Sequence, residues 1–502
     1  MSTSSIVIET SRLIDFLDLH ARNRPNDASL WLSGEDETGR CLRRQLSSIS
    51  WRELRVLVDQ MANRLAAQKA QAILYASQCD SSDVIVSLAC ARAGLIEIPL
   101  DASSGEGFID ACRESIDGFW IGRETKRDWL TNSDIERDLI EDGPLWDSRN
   151  SRHPTDDALI LFTSGTSGKP KGVVLSHQSL ISNARAKLAV VPNAHHDRRL
   201  MLLSISHAYA RTSCMGTWLL SGCTIAVSRG YEGWCELAIA FNPTHCNLVP
   251  SVIERVLIRD EFPSSLDQLG CGGAALRRDA FEALKERGVT PIQGYGLTEA
   301  GPVIATQSPS NSIPQRCGEF VAGWEHRIED NGQLFVRGKH QMTRYWNNPT
   351  ETSRRISEDG WLDTGDLVRL CEQSNQLEIV GRNDDRLTLS NGHTIDPAAI
   401  ESRIRQVPGI QDAVLTVRDD ERSIVLWLAS DRKPNAGKRE LIQPELTDAN
   451  VRELESIFST MPTWQRPAET RFFEIPDSKR REMVNRKGEV RRTSLLRYLA
   501  RQ

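Results

Sequence analysis

The sequence predicts an α/β protein with a large N-terminal domain of mixed and parallel sheets with packed helices, followed by a small α+β C-terminal lid domain. The chain has 502 residues, which is longer than one hydrophobic core usually serves. Short β-rich runs alternate with helical patterns through most of the chain, as in parallel α/β units. Beyond a polar turn near residue 382, the pattern becomes a compact mixture of strands and helices. We therefore place the two domains at residues 1–382 and 383–502.

The elements of the large domain are predicted from local patterns. Residues 51–69 carry apolar side chains at helical spacing after a Ser-Ile-Ser segment that can cap a helix. The run AILYAS follows, then a helical pattern at DVIVSLACARAGL and a second short run, IEIPLD. Strand, helix and strand in this order predict a parallel unit with a right-handed crossover. Further strands are predicted at ALILFTSG, MLLSISH, TIAVSR and HCNLVPS.

The small domain is predicted from residue 377 onward. The β-rich run LEIV at Leu377–Val380 precedes the polar turn GRNDD. A helix is then expected at IDPAAIESRIRQV, two paired strands at DAVLTVRD and SIVLWLAS, and a second helix at VRELESIFSTM. A basic tail ends the sequence.

Composition argues against several classes of protein. The formal net charge is −6, from 62 basic and 68 acidic residues, so no general positive field attracts nucleic acid. Eleven cysteines occur without a C-x-x-C pair, which argues against a disulfide framework or a zinc ribbon. No apolar run reaches about 18 residues, so no transmembrane segment is expected. We expect a cytoplasmic protein with reduced thiols and no nucleic-acid partner.

The strongest chemical signal is the segment LFTSGTSGKPKG at Leu161–Gly172, directly after a predicted strand. Glycine and small hydroxyl residues let backbone N–H groups close around phosphate oxygens, and lysine adds a positive charge. The segment is not a P-loop, because Pro170 follows Lys169 where that motif needs Ser or Thr. A flexible linker is the alternative interpretation. The candidate phosphate-binding residues are Thr163, Ser164, Gly165, Thr166, Ser167, Gly168 and Lys169.

The sequence resembles the adenylate-forming (AMP-binding) superfamily of acyl-CoA synthetases, peptide-synthetase adenylation domains and firefly-type luciferases. After the LFTSGTSGKPKG segment, the resemblance continues in family order over roughly residues 10–490. Its motifs are GGAAL at 272–276, YGLTE at 295–299, WLDTGDL at 361–367 and GRNDD at 381–385. Several motifs in order are far more specific than any one of them.

The resemblance implies a nucleotide site formed by residues of the GGAAL and YGLTE motifs. Thr298 is expected to donate to the α-phosphate, and the Glu299 carboxylate is expected to hold Mg²⁺, which prefers oxygen ligands. Alone, a YGLTE segment is more simply an exposed turn. The remaining residues assigned to nucleotide binding here are Gly273, Ala274, Ala275, Tyr295 and Gly296.

The later motifs are expected to bind the ribose and to allow movement of the lid. Asp366 would accept the ribose hydroxyls, because an ionised carboxylate is a natural bidentate acceptor. Arg382 matches a family residue near the ribose and the interdomain link, and Asp384 matches the hinge. Gly392 falls where the family leaves room for the pantetheine thiol.

The sequence departs from the family near its C-terminus. The family carries a lysine after a glycine there, and this lysine stabilises charge during adenylation. Here Glu489 follows Gly488, and a carboxylate would repel both substrates. We expect Lys487 to act in place of the missing lysine. The alternative is a degenerate nucleotide-binding homologue with impaired adenylation.

The last expectations concern the class of acid substrate and the thiol that accepts the acyl group. Residues 203–212 contain no aspartate to pair an α-ammonium group, and their S-H-x-x-x-R-T pattern resembles long-chain fatty acyl-CoA synthetases. His207 is expected beside the carboxylate as a catalytic or gating residue, with a satisfied structural histidine as the alternative. A fatty or other non-amino acid would be converted to acyl-AMP and passed to CoA. An acyl carrier protein, in natural-product biosynthesis, is the alternative acceptor.

Overall fold

A computed structural model provides the structure of the protein. It describes residues 12–32, 47–122, 125, 129, 156–164, 170–383, 387–388, 394–395, 397–418, 423–430, 447–473, 479, 483–484, 490 and 492–499. The described residues divide into two compact units. The first is bounded by 1–327, 335–363 and 370–377, and the second by 328–334, 364–369 and 378–502.

One sheet of the first unit contains the strand–helix–strand unit predicted near the N-terminus. Its strand order is β17-β7-β6-β4-β3-β5. Strands β3, β4, β5 and β6 are parallel to one another. Strand β7 is antiparallel to both of its neighbours, β6 and β17. The predicted strands AILYAS and IEIPLD are confirmed as β3 and β4, which pair in register from Ala72 opposite Ile96. The bounds are Ala72–Ser77 (β3), Ile96–Asp101 (β4), Phe119–Ile121 (β5), Asp157–Ser164 (β6), Pro170–Ser176 (β7) and Arg344–Tyr345 (β17).

The second sheet of this unit has the order β14-β13-β12-β11-β10-β8-β9-β1-β2 within the described residues. Its central strands β12, β11, β10, β8 and β9 are parallel, and β13, β14 and β2 pair antiparallel to their neighbours. The bounds are Ala28–Leu32 (β1), Ser47–Ser50 (β2), Arg198–Met201 (β8), Thr224–Val227 (β9), His245–Leu248 (β10), Gln268–Cys271 (β11), Thr290–Gly296 (β12), Val303–Thr306 (β13) and Glu319–Phe320 (β14).

Helices of the first unit pack against these sheets. The predicted helix at 51–69 is α2, and its cap is a reciprocal pair in which Ser50 accepts from the Glu53 amide and Glu53 accepts from the Ser50 amide. The helices are Asp15–Asn23 (α1), Trp51–Ala67 (α2), Ser81–Ala93 (α3), Glu106–Glu114 (α4), His177–Val190 (α5), Ala208–Ala210 (α6), Thr217–Ser221 (α7), Gly230–Phe241 (α8), Pro250–Arg259 (α9), Arg278–Glu286 (α10) and Pro349–Arg355 (α11). The segment Arg211–Gly216 is a π-helical turn, and Thr298–Ala300 is a 3₁₀ turn.

Buried aromatic packing fixes the helical segment that follows His207. Trp51 on α2 and Trp218 on α7 are fully buried, and their rings stack with centroids 5.3 Å apart. Burial of one such side chain contributes about 1.5–3 kcal/mol. The packing of α7 therefore anchors the turn that precedes it in the chain.

One predicted strand is shorter than expected. Of MLLSISH, only Met201 belongs to β8, and the residues after it form no ladder. The Ser204 hydroxyl accepts from the Ser206 amide at 3.2 Å and contacts the Ser77 hydroxyl at 2.9 Å. The local bond between Ser206 and Ser204, together with the contact to the distant Ser77, competes with the strand ladder, and the strand ends here.

The second unit is a small α+β assembly, as predicted. The expected paired strands are β22 and β23, which are antiparallel, and β24 pairs parallel to β23. Ile404, Leu415 and Leu426 are buried in its core. The strands are Leu387–Thr388 (β20), Thr394–Ile395 (β21), Ile410–Val417 (β22), Ile424–Ser430 (β23) and Glu469–Phe472 (β24), and the helices are Pro397–Ile404 (α12), Asp448–Ser459 (α13) and Arg492–Leu499 (α14).

Four strands are divided between the two units. They are Trp324–Ile328 (β15), Gln333–Gly338 (β16), Leu362–Leu370 (β18) and Leu377–Arg382 (β19). The α/β fold class is confirmed. The domain limit at 382/383 stays a prediction, and the predicted hinge Asp384 lies outside the described residues. Among the helices of the described part, none is long and apolar enough to cross a membrane.

Candidate functional site

The predicted phosphate segment begins on one strand and ends on the next. Strands β6 and β7 pair antiparallel up to Ser164 opposite Pro170, and Thr163 stands opposite Lys171. The Thr163 hydroxyl donates to the Lys171 carbonyl at 3.4 Å. The predicted strand before the segment is thus confirmed. The residues Gly165, Thr166, Ser167, Gly168 and Lys169 lie outside the described residues, and their phosphate contacts stay predictions.

Glu299 lies on the 3₁₀ turn directly after β12, beside Thr298. Its Oε1 accepts a hydrogen bond of 2.7 Å from the hydroxyl of Tyr345 on β17. Its carbonyl accepts from the Met342 amide, also at 2.7 Å. The backbone and the carboxylate of Glu299 are therefore both held by the segment that contains β17.

A lysine approaches the same tyrosine. Lys171 Nζ donates to Glu351 Oε2 at 2.6 Å and lies 5.7 Å from the centre of the Tyr345 ring. The carboxylate of Glu351 also accepts from Arg354 at 2.8 Å. Lys171, Tyr345 and Glu299 thus form a charged and polar group around the start of β7.

The segment after β11, to which the sequence assigns nucleotide binding, has an open surface at Gly273. Gly273 is exposed with φ of +84°, and a Cβ built there meets only Val249 Cγ1, at 3.8 Å. Positive φ favours glycine, and the open space leaves room for a ligand against the backbone. Ala274 is half-buried and Ala275 exposed, so both small side chains leave this surface accessible.

Gly296 has a different reason to be glycine. A Cβ built there would lie 1.8 Å from the Pro302 carbonyl oxygen. The register shift between Tyr295 and Gly296 in the β12–β13 pair brings these backbones together. Gly296 therefore shapes the end of β12, from which Thr298 and Glu299 follow.

The residues present fit Mg²⁺ as a partner of phosphate. The Glu299 carboxylate is a hard oxygen donor on a half-buried turn. Among the residues that the structure describes, no group of three His, Cys, Asp or Glu side chains can hold a metal. A single carboxylate suits Mg²⁺, which usually binds through one or two carboxylates plus substrate phosphates and water.

His207 is held by a buried carboxylate at the end of β4. Its Nε2 lies 3.5 Å from Asp101 Oδ2, and Arg229 Nη2 donates to Asp101 Oδ1 at 2.9 Å. Burial raises the pKa of Asp101, but hydrogen bonds from His207 and Ser103 and the charge of Arg229 outweigh it and hold that pKa well below its usual range. The imidazole remains about one third exposed, at 36%. His207 is thus oriented by an ionised partner.

Arg211, in the S-H-x-x-x-R-T pattern, has a structural role. It is 7% exposed and forms an ion pair with the buried carboxylate of Glu97. It also donates to the Ile205 carbonyl at 2.7 Å. Its charge is therefore balanced within the protein.

In the second unit, the structure brings the two predicted ribose residues together. Arg382 Nη1 lies 3.0 Å from Asp366 Oδ1, and the Asp366 side chain is 8% exposed. The Asp366 amide donates to the Thr364 hydroxyl at 3.1 Å. The middle of β18 and the end of β19 are thus joined through a buried carboxylate.

Sequence reasoning missed the partners of these side chains. Tyr345, Asp101 and Arg229 belong to none of the recognised motifs, and no spacing rule connects them to Glu299 or His207. Gly392, Lys487 and Glu489 lie outside the described residues, so their predicted roles stay predictions.

Comparison with known proteins identifies the family of the chain. The family model for AMP-binding enzymes matches residues 20–346, and the model for the AMP-binding enzyme C-terminal domain matches residues 384–502. 4-Coumarate–CoA ligase 3 from Oryza sativa subsp. japonica is 28% identical over 366 residues, which is 67% of this chain and 62% of that protein. The chain therefore spans less than two thirds of the length of this relative.

Two solved structures share the fold at low sequence identity. O-succinylbenzoate coenzyme A synthetase (MenE) from Bacillus subtilis in complex with AMP has a TM-score of 0.75 and 21% identity, covering 96% of this chain and 97% of that one. ATP-bound MatB from Rhodopseudomonas palustris has a TM-score of 0.78 and 20% identity, covering 98% and 99%. Because the matched family model covers more than half of the sequence, the chain belongs to the family of AMP-binding enzymes.

Proposed function

We propose that this protein joins a carboxylic acid to ATP to form an acyl-adenylate and then transfers the acyl group to the thiol of CoA. The observation that carries the proposal is the Glu299 carboxylate, held by Tyr345 directly after Thr298 at the end of β12. One turn of this AMP-binding enzyme therefore carries both a hydroxyl donor, Thr298, and a hard anion, Glu299. Relatives named as CoA ligases support CoA as the acceptor.

The proposed chemistry has two steps. In the first, a carboxylate oxygen of the acid attacks the α-phosphorus, the bond between the α-phosphorus and its bridging oxygen to the β-phosphate breaks, and pyrophosphate leaves. In the second, the thiolate of CoA attacks the acyl carbon, and AMP leaves with the bonding electrons. Bound Mg²⁺ supplies positive charge that offsets the developing phosphate charge. Thr298 would orient the α-phosphate, and the Glu299 carboxylate would be the oxygen ligand that holds Mg²⁺.

The acid is proposed to be a fatty or other non-amino acid. An α-ammonium group needs a buried carboxylate partner. The carboxylate that the structure brings near His207 is that of Asp101, and it already contacts Arg229 and His207. This supports an acid without an α-amino group.

The test is pyrophosphate release with ATP, Mg²⁺ and a panel of fatty, aryl, dicarboxylic and amino acids, with and without CoA. We expect release with one non-amino class, AMP as the other product, and acyl-CoA only when CoA is present. Release with an α-amino acid alone would contradict the acid assignment.

Two further results distinguish the alternatives for the acceptor and for activity. Pyrophosphate release without acyl-CoA, together with transfer to an acyl carrier protein, would replace CoA by the carrier. ATP binding without release for every acid would favour the degenerate homologue, for which Glu489 is the motivating residue.

A further inference from the structure

A threonine of the π-helical turn contacts the turn that carries Thr298 and Glu299. Thr212 Oγ1 donates to the Gly301 carbonyl at 2.7 Å, although the two residues lie 89 positions apart. Thr212 is 1% exposed, and Gly301 is buried as well. Gly301 directly follows the 3₁₀ turn and ends it. The hydrogen bond therefore fixes the end of this turn that lies away from β12.

The Gly301 peptide is confined by a second neighbour. Its φ is +79°, a conformation that favours glycine, and a Cβ built there would lie 2.3 Å from the His340 carbonyl oxygen. The His340 ring is itself held, because its Nε2 faces the Ala322 carbonyl and its Nδ1 faces the Ser182 hydroxyl, each at 2.9 Å. Loss of the Thr212 hydroxyl would thus remove a donor from a buried carbonyl, which is costly.

Strand β13, which follows the turn, is held separately by helix α5. Asn183 Nδ2 donates to the Val303 carbonyl at 2.8 Å, and the Val303 amide donates to Asn183 Oδ1 at 2.9 Å. Asn183 is fully buried. Lys187, on the same helix, donates from Nζ to the Thr306 hydroxyl at 2.5 Å. Because these contacts keep β13 in place, the bond from Thr212 acts on the turn rather than on the strand.

The π-helical turn also connects this contact to His207. The Arg211 amide donates to the His207 carbonyl at 3.2 Å, and Thr212 is the next residue. Such π-helical turns are rare and are frequent at functional sites. A Cβ built on Gly216 would lie 2.8 Å from Ala184 Cβ, so the turn packs closely against α5. Thr212 therefore stands on a rigid support.

We propose that Thr212 is a positioning residue for adenylation, which fixes the orientation of Thr298 and Glu299 by holding Gly301. This rests on the proposed function, because it explains how that site keeps its geometry. Tyr345 holds the side chain of Glu299, and Thr212 holds the backbone that follows it. The turn then needs no rearrangement when ATP and Mg²⁺ bind. Such precision matters, since a displacement of about 1 Å can cost on the order of 10²-fold in rate.

The first test removes the hydroxyl and keeps the shape of the side chain. Thr212→Val should lower kcat for pyrophosphate release by about tenfold to 10²-fold, because the turn is no longer fixed. The KM for the acid should stay unchanged, since no contact to the acid is lost. The Mg²⁺ concentration that gives half of the maximal rate should rise. Thr212→Ser keeps the donor and should recover most of the lost kcat.

ATP binding gives a readout that does not depend on turnover. In calorimetry, Mg²⁺ should strengthen the binding of ATP to the wild-type protein relative to the same titration in EDTA. This gain should be smaller in Thr212→Val, because the Glu299 carboxylate is displaced. Binding in EDTA should change less, since it does not involve a metal ligand.

Thr217→Val is the matched control. Thr217 is 1% exposed, like Thr212, but its hydroxyl donates to the Ser213 carbonyl at 3.0 Å, within the same helical segment. Its removal should lower the melting temperature about as much as Thr212→Val does. It should leave kcat and the Mg²⁺ requirement at their wild-type values. The melting curves also show whether each variant folds.

The outcomes separate this inference from the proposed function. If Thr212→Val loses stability as Thr217→Val does but keeps kcat and the Mg²⁺ requirement, the role of Thr212 is structural only and the inference is overturned. Equal kinetic losses in the two variants overturn it as well, because general destabilisation then explains them. If the wild-type protein releases no pyrophosphate with any acid, the proposed function fails and calorimetry decides the inference. A smaller Mg²⁺ gain in Thr212→Val then supports it, whereas an equal or absent gain in both proteins overturns it.

Discussion

The hydroxyl of Tyr345 donates a 2.7 Å hydrogen bond to Oε1 of Glu299, although the two residues lie 46 positions apart. Hydrogen bonds to charged groups are stronger than neutral ones and restrict the rotation of the acceptor. Burial and the charge of Glu299 raise the pKa of Tyr345 far above its ordinary value, so the phenol keeps its proton and remains a donor. Glu299 is therefore presented in one orientation.

Removal of this carboxylate should cost more activity than removal of its donor. Glu299→Gln should lower kcat for pyrophosphate release by about 10²–10³, because the charge that holds the metal is lost. Tyr345→Phe keeps the charge and should cost about tenfold, partly recovered by higher Mg²⁺. Tyr231→Phe is the control, since Arg255 stacks on that ring elsewhere in the unit. Equal loss in Glu299→Gln and Tyr345→Phe would contradict a metal role for Glu299.

The pair of Asp366 and Arg382 should determine ribose recognition. Asp366→Asn should raise the KM for ATP by about 10²-fold, because a strong bidentate acceptor is lost. It should also abolish the preference for ATP over 2′-deoxy-ATP or 3′-deoxy-ATP. Arg382→Ala should raise the KM for ATP by only about tenfold, because Arg382 positions the Asp366 carboxylate and the carboxylate itself remains.

Arg369→Ala is the control for the ribose experiment. Arg369 lies on the same strand as Asp366, is 70% exposed and pairs with Glu378. Its removal should leave the KM for ATP unchanged. A retained preference for ATP over both deoxynucleotides in Asp366→Asn would show that another residue reads the ribose.

Lys487 is predicted to act in adenylation in place of the lysine that Glu489 displaces. Lys487→Ala should lower pyrophosphate release on the order of 10²-fold, because positive charge near the reacting phosphate is lost. Thioester formation from a supplied acyl-adenylate should stay near wild type, since that step needs no such charge. Adding Glu489→Lys to this variant should restore release, whereas Lys479→Ala should have no effect. Full adenylation by Lys487→Ala would exclude the substitution hypothesis.

His20 should make stability depend on pH. Its ring accepts from Arg24 at 2.9 Å through Nδ1 and faces the Leu219 carbonyl at 2.7 Å through Nε2, which assigns the neutral tautomer with the proton on Nε2. Burial, together with Arg24, lowers its pKa from 6.5 to about 4. The stability that neutral, buried His20 gives the folded protein is fully present above pH 6.5. It is lost as pH falls toward 4, because in this range only the unfolded chain takes up the proton. The free energy of unfolding should fall by up to about 1.4 kcal/mol per pH unit in this window.

Urea unfolding of wild type and His20→Gln at pH 7, 6 and 5 checks this expectation. The difference in stability between the two proteins should shrink as pH falls. The exposed His195 provides the control, since His195→Gln should leave the pH dependence unchanged. A constant difference between wild type and His20→Gln at the three pH values would contradict a neutral buried His20.

Most secondary structure was predictable because its causes are local. The helix at Trp51 needed its apolar spacing and the cap at Ser50, and AILYAS and IEIPLD matched strands β3 and β4 over their whole length. The end of β8 was not predictable, because the bond from Ser204 to Ser77 joins distant segments. The domain division and the predicted lysine and glycine of the C-terminal region stay predictions.

By itself, the sequence determined the α/β class, the order of the motifs and the membership in the AMP-binding enzymes, because periodicity, capping and glycine-rich segments act within a few residues. Tertiary structure decided which charges are balanced. It paired Asp101 with His207, Glu97 with Arg211 and Tyr345 with Glu299. It also placed Arg199 and Lys187 in the wall of one small cavity, and no carboxylate among the described residues pairs with either. These contacts join strands and helices that are adjacent only in the folded sheets, and no spacing in the chain encodes that adjacency.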